Sequence, residues 1–172
     1  DGPRATPASG GAPVRLTAID VASGRVLRQL AYQPDAVPHK SPLPGGYATN
    51  GVSEILAAGP DHLLVLERSY TVGVGNSIRL YRIAVHGAGA DGASDTLGLA
   101  ALTPGNHTPV PKTLVADFAH LGLKRLDNIE GMTWGAPLPG ADGPRRVLVF
   151  VSDDNFNPAQ ITQFIAAEYL IP

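Results

Sequence analysis

Apolar and polar residues alternate with a period of two along most of this chain, the pattern of strands that turn one face to a core. It predicts strands over residues 14–20 and 25–32, joined by a hairpin at Val21-Ala22-Ser23-Gly24. Further strands are predicted over 52–58, 62–68, 77–85, 113–118, 129–134, 146–152 and 160–166. Gly, Pro, Asn and Asp separate most of these runs, as turns require. Helical periodicity is weak and confined to 159–170, where alanine-rich sequence suits either state. The expected class is all-β.

Internal similarity extends the pattern. Val52-Ser53-Glu54-Ile55-Leu56 aligns with Asn128-Ile129-Glu130-Gly131-Met132, Leu63-Leu64-Val65-Leu66 with Val147-Leu148-Val149-Phe150, and Ile78-Arg79-Leu80-Tyr81 with Ile161-Thr162-Gln163-Phe164. The order is kept, and the spacing varies only by loop length. Four-stranded antiparallel units in series are the blades of a β-propeller. The strands divide into two, then four, then three, about two and a quarter blades, whereas a propeller closes with roughly four to eight. Unclosed blades leave apolar faces and strand edges open. The expectation is therefore part of a larger propeller, completed by an N-terminal half, a cleaved partner chain or another copy. A small β-sandwich is the alternative. The Gly-, Ala- and Pro-rich stretch at about 86–111 reads as a flexible insertion.

Composition narrows the function. The chain has 172 residues, a net charge of −2, three lysines and no cysteine. Its length fits one domain or part of one. The mild acidity removes the electrostatic case for nucleic acid or an anionic membrane surface. The lack of cysteine excludes disulfides, thiolate-bound zinc, iron–sulfur clusters and thiol catalysis. No apolar run reaches the ~18 residues of a membrane span. The opening DGPRATPASGG lacks the pattern of a signal peptide, so export would imply a leader already removed.

Candidate chemistry gathers at strand ends. Glu54 and Glu130 open the first strands of their units; Glu67-Arg68 and Ser152-Asp153-Asp154-Asn155 close the second. In an antiparallel pair the start of one strand lies beside the end of its neighbour. Glu54 is thus expected near Glu67 and Arg68, and Glu130 near Asp153, Asp154 and Asn155, with Asn128 close by. Both groups would fall at the same mouth of a central channel. Grouped carboxylates and amides are hard oxygen ligands suited to Ca²⁺ rather than zinc. The competing role for the same residues is turn capping and pairing with Arg68, Arg79 or Arg82. Other matches carry little. Gly87-Ala88-Gly89-Ala90-Asp91-Gly92 spells GxGxxG with no helix after it, no GxSxG is present, and the five histidines lack metal spacing. Trp134 is expected in the core, and Phe156 as a plug in blade packing.

Asp127-Asn128-Ile129-Glu130-Gly131-Met132, Val149-Phe150-Val151-Ser152-Asp153-Asp154-Asn155-Phe156 and Gln160-Ile161-Thr162-Gln163-Phe164 follow one another near the C-terminus. Val52-Ser53-Glu54-Ile55-Leu56 and Leu64-Val65-Leu66-Glu67-Arg68-Ser69 lie upstream. Together they resemble the phytase-like family, described by the esterase-like activity of phytase and found among exported bacterial proteins. The resemblance spans roughly 50–170 outside the insertion, with Ser152 to Phe156 its most specific part. It implies the C-terminal half of a propeller, six-bladed when complete, a secreted or periplasmic setting, a small-molecule ester substrate and calcium at the channel mouth. On position and chemistry, Glu130, Asp153, Asp154, Asn155 and Asn128 are the expected calcium ligands. Glu54 or Glu67 is the expected proton acceptor, and Arg68 the group that neutralises a transferring phosphoryl. The scarcity of lysine and arginine at the mouth argues against a polyphosphorylated substrate. A lactonase-like propeller and a non-catalytic binding propeller with structural calcium are the competing readings.

Overall fold

The computed structural model describes residues 10–170, so the ends of the expected domain, with most of the stretch read for a signal peptide, lie outside the described residues. Nine strands form: β1 (Val14–Ile19), β2 (Val26–Tyr32), β3 (Ala48–Ala57), β4 (His62–Thr71), β5 (Gly75–Ala84), β6 (Lys112–Asp117), β7 (Ile129–Trp134), β8 (Val147–Ser152) and β9 (Gln163–Glu168). They make three antiparallel sheets in the expected division: β1-β2, β3-β4-β5-β6 and β7-β8-β9. The stretch 159–170, open to either state, forms β9. No described helix is long and apolar enough to cross a membrane.

The middle sheet is covered on both faces, and β4 shows why its sequence reads as an unbroken apolar run. Leu64 and Leu66 point into a core shared with the third sheet, among Ile78, Leu80, Phe118, Ile129, Leu148 and Phe150. Val65, between them, points the other way into a core with Tyr32, Ile83 and Val110. A strand buried on both faces has no polar side to alternate with. Each large side chain buried this way stabilises the fold by about 1.5–3 kcal/mol. Phe118 and Phe150 meet edge to face at 5.0 Å across the main core. Trp134 lies at the rim of this core, its indole N–H donating to the Ala57 carbonyl at 2.8 Å and Arg146 stacked 3.6 Å over its ring.

Two details bear on function. The 86–111 segment, read from sequence as a flexible insertion, bonds to the free edge of β2 at two points. The Thr96 and Val110 amides donate to the Gln29 and Ala31 carbonyls at 2.7 and 2.8 Å, and Arg15 donates to the Thr96 and Leu99 carbonyls. Its composition hides this, because scattered bridges to an edge need no alternating pattern. Second, β3 and β7 each carry a bulge, between Val52 and Glu54 and between Ile129 and Gly131. Val52 faces Glu67 and Ile129 faces Ser152, so the extra residues are Ser53 and Glu130. The sequence alignment that paired Glu54 with Glu130 is one residue out of structural register.

Candidate functional site

Consecutive residues on a strand point to opposite faces, and that rule divides Glu67 from Arg68. Glu67 turns toward the first sheet. It is 2% exposed and accepts four hydrogen bonds. Tyr32 Oη and Lys112 Nζ reach its Oε1 at 2.6 Å each, while Asn50 Nδ2 and the Asp35 amide reach Oε2 at 2.6 and 3.0 Å. Glu67 is therefore not the free proton acceptor expected; its lone pairs are spent on joining β2, β3, β4 and β6.

Lys112 is the hub of this network. Its ammonium also meets Asp35 Oδ1 at 2.6 Å and the Gln33 carbonyl at 2.9 Å, and lies over the rings of Tyr32 and Tyr81. Tyr81 donates to Asp35 Oδ2, and Arg79 bonds Asp117 at 3.1 Å. Burial works to raise the Asp35 carboxyl, but hydrogen bonds from Lys112 and Tyr81 and the charges of Lys112 and Arg79 outweigh it, holding it below the usual range. Asp117 is held low despite burial by the Ala119 amide and Arg79. Tyr32 is pushed far up, first by burial and then by the charge of Glu67; Tyr81 rises through burial and its bond to Asp35. Sequence reasoning missed Tyr32, Asp35, Asn50, Tyr81 and Lys112, since they come from separate strands and loops with no local motif. The one available signal was Lys112, one of three lysines, standing at the start of a strand.

Arg68 turns toward the third sheet. Its side chain is 36% exposed, its Nη2 stands 3.9 Å from Glu130 Oε1, and its buried Nε has no hydrogen-bond partner. The bulge at Ser53 places Glu54 opposite Leu66, hence on the Arg68 face and away from Glu67. Glu54 Oε1 accepts the Ile55 amide at 2.8 Å. Beyond Arg68 a line of polar side chains crosses the third sheet. Asn128 Nδ2 donates to Glu130 Oε1 at 3.0 Å, Gln160 Nε2 to Asn128 Oδ1 at 3.3 Å, and Asn155 Nδ2 to Gln160 Oε1 at 3.3 Å. Glu130 thus reaches Asn155 through two amides rather than directly.

The turn after β8 has its own economy. Asn155 and Phe156 both sit in the left-handed region, at φ 50° and 54°. Asp153 Oδ1 accepts the Asn155 amide at 3.2 Å and Asp154 Oδ1 the Phe156 amide at 3.0 Å. Those oxygens hold a strained turn. Phe156 is fully exposed and plugs no packing.

These donors can be tested for calcium. Glu130 and Asn128 lie side by side and offer hard oxygens. Asp153 and Asp154 are engaged by backbone amides, and the Arg68 guanidinium stands next to Glu130. Among the described residues no three His, Asp or Glu side chains form a group that could hold a metal. Among the described residues, Glu130 and Asn128 alone are too few to make a calcium site by themselves.

The class defined so far is an antiparallel all-β protein with an under-bonded arginine and nearby carboxylates between two sheets. The family model for phytase-like proteins, described as the esterase-like activity of phytase, matches residues 1–156. This chain belongs to the phytase-like family. The match takes in the first fifty residues, outside the roughly 50–170 span of the sequence resemblance, and ends at Phe156, the last residue of the Ser152–Phe156 motif. No curated protein and no solved structure matches the chain.

Proposed function

We propose that the complete protein is a β-propeller ester hydrolase acting on phosphoesters, with its site between the second and third sheets. Three consecutive antiparallel sheets support the propeller reading, as does the approach of β3 to β7, the first strands of neighbouring sheets. In this reading they are blades of a six-bladed propeller, and polypeptide outside this chain supplies the rest. In this reading the protein works outside the bacterial cytoplasm, secreted or periplasmic.

The observation that carries the catalytic reading is Arg68. A guanidinium offers five N–H donors in a planar fork suited to phosphoryl oxygens. Here it is half-exposed, and its contact with Glu130 is longer than a hydrogen bond. In the proposed reaction Arg68 binds the phosphoryl oxygens and offsets the charge that builds on them. Water adds its oxygen to phosphorus and passes a proton to Glu54, which shares the Arg68 face. The bond from phosphorus to the alcohol oxygen breaks, and that oxygen takes a proton from solvent. Glu67 touches no reacting atom; it fixes the strand that carries Arg68. Calcium belongs to this proposal as an ion that Glu130 and Asn128 share with donors from outside this chain, and no step above runs through it.

The test is turnover by the complete protein on phosphomonoesters, aryl carboxylic esters and lactones, with and without chelator. Phosphomonoester hydrolysis that falls at least a hundredfold in Arg68→Ala supports the proposal. Preference for aryl esters or lactones, or an Arg68→Ala variant of unchanged kcat/KM, overturns it. Binding of calcium with no turnover on any substrate leaves a binding propeller in its place.

A further inference from the structure

Four aromatic side chains are exposed among the described residues: Tyr47, Tyr70, Phe156 and Phe164. All four belong to the end of the sheets that carries Arg68 and Glu130. Tyr47 precedes β3 and Tyr70 is next to last in β4; Phe156 follows β8, and Phe164 is second in β9. Exposed aliphatic residues occur at both ends, with Leu43 and Val74 at this one and Leu138 and Leu170 at the other. General apolar exposure does not sort rings from aliphatic chains. The sorting calls for a role that needs rings.

Two of the four face the candidate site. Alternation along β4 sends Arg68 and Tyr70 to the same side, toward the third sheet, about 7 Å apart along the strand. Tyr70 stands opposite Thr49, and the ladder runs one step past the strand ends, where the Val72 amide donates to the Tyr47 carbonyl at 2.9 Å. Tyr47 is thus the diagonal neighbour of Tyr70 on that side, within the reach of aromatic side chains. The two residues are 46% and 39% exposed. Around them the lip is apolar. Val72 and Val74 flank the turn at Gly73, and a Cβ built on Gly73 would come within 3.7 Å of Leu43 Cγ. The hydroxyl of Ser41, beside this turn, is already donated to the Val72 carbonyl at 2.8 Å. Phe164 turns away, because Ile165 next to it takes the side that packs against the second sheet.

We propose that Tyr70 and Tyr47 form an aromatic wall that selects the alcohol part of the substrate, and that this alcohol carries a planar ring without hydroxyls. With the ester group at Arg68, the next group outward along β4 lies at Tyr70. A ring placed there meets the tyrosines face-offset or edge to face, a contact that adds to what burial alone supplies. A sugar or another polyol would set hydroxyls against Val72, Val74 and Leu43, whose side chains offer them no hydrogen bond. This rests on the reading of Arg68 as the group that holds the ester, and adds which alcohol the site accepts.

Benzylphosphonate and cyclohexylmethylphosphonate separate ring recognition from charge and from bulk. They carry the same anion and a six-membered ring of similar size, but only the first ring is planar and aromatic, and neither has an ester to hydrolyse. Isothermal calorimetry on the complete protein should find benzylphosphonate bound at least fivefold more tightly. Tyr70→Leu, which keeps apolar bulk and loses the ring, should bring the two within about twofold without a fall in melting temperature. Tyr47→Leu should remove part of the preference, and Tyr70→Phe should retain it. Phe164→Leu, on the far side of the third sheet, should leave it unchanged. In turnover, benzyl phosphate should exceed cyclohexylmethyl phosphate in kcat/KM chiefly through KM, since their alcohols leave with similar ease. Equal affinity for the two phosphonates in the wild type overturns the wall, as does a Tyr70→Leu variant that keeps the wild-type ratio. Binding of neither phosphonate also overturns it, and the hydrolase is then judged by turnover alone. Discrimination between the phosphonates in a protein that hydrolyses nothing keeps the wall and removes the hydrolase, and turnover without discrimination does the reverse.

Discussion

Replacing Lys112 by Met tests the architecture of the Glu67 network. Methionine keeps most of the lysine stem and removes the ammonium. That ammonium supplies bonds of 2.6 Å to Glu67 Oε1, 2.6 Å to Asp35 Oδ1 and 2.9 Å to the Gln33 carbonyl. Asp35 is 35% exposed, and water makes good much of its loss. Glu67 is different, because at 2% exposure it would stay buried with its cation gone. Removing one member of a buried pair costs about 3–5 kcal/mol, a large part of the 5–15 kcal/mol that holds a typical domain. Glu67→Gln should also destabilise, since the new amide places a donor against the Asn50 amide or the Lys112 ammonium. The double variant removes both charges and should cost clearly less than the sum of the singles, with a coupling of about 2–3 kcal/mol. Urea unfolding of the four proteins at pH 7 measures each term. Additivity within about 0.5 kcal/mol, or a Lys112→Met cost under 1 kcal/mol, would refute the reasoning. Loss of activity in Glu67→Gln with stability intact would return Glu67 to the catalytic role expected from sequence.

Acid should loosen the same region. Asp35 and Asp117 are held below the ordinary carboxylate value near 3.9, so their stabilisation is complete above that value and is lost as pH falls through their lower folded values, below about pH 4. Asp117→Asn should flatten the slope of the urea midpoint between pH 4 and 2, and an unchanged slope counts against the assignment. Phe156→Gly should raise stability by about 1 kcal/mol, because a fully exposed side chain is lost and a left-handed φ of 54° is relieved. A loss of stability would mean that Phe156 is packed in the complete protein. Glu130→Gln should weaken calcium binding by the complete protein at least tenfold in calorimetry, through loss of one ligand charge. Equal affinity in both proteins, or no calcium binding in either, removes Glu130 from any metal site.

The strands were legible because each needs only a few residues of period-two pattern, and their grouping followed from the internal repeat. The run 129–134 is β7 to the residue, and the remaining boundaries moved by a few positions. The bulges were not legible. A bulge inserts one residue without changing composition, so Glu54 and Glu130 looked equivalent when Ser53 and Glu130 are the matching positions. The site was legible as an inventory and not as an arrangement. Glu67 and Arg68 stand side by side in the sequence, and alternation sends them to different sheets. Their nearest charged partners, Lys112 for Glu67 and Glu130 for Arg68, lie on other strands with no local signature. The bonds of the 86–111 segment were hidden for a related reason: hydrogen bonds to a strand edge use backbone groups, which every residue has.

The two faces of β4 also say what kind of evidence locates a site in such a sheet. Charge alone is a poor guide, since the densest group of charges, around Lys112, is saturated and offers a ligand little. Saturation has a different use. With four bonds converging on Glu67, the backbone of β4 is tied to three other strands at the residue before Arg68, and Arg68 shares that rigid base. A guanidinium on a fixed strand keeps its fork aimed without spending binding energy on ordering the chain beneath it. Open hydrogen-bonding capacity and a rigid support are therefore separate requirements, and β4 meets them on opposite faces. It follows that Lys112→Met should impair anion binding at Arg68 without touching the anion. The loss should appear first in the rate of dissociation, because a loosened strand lets the ligand go before it changes how the ligand arrives. Unaltered phosphate dissociation in a Lys112→Met protein that is measurably less stable would show that the two faces of the strand work independently.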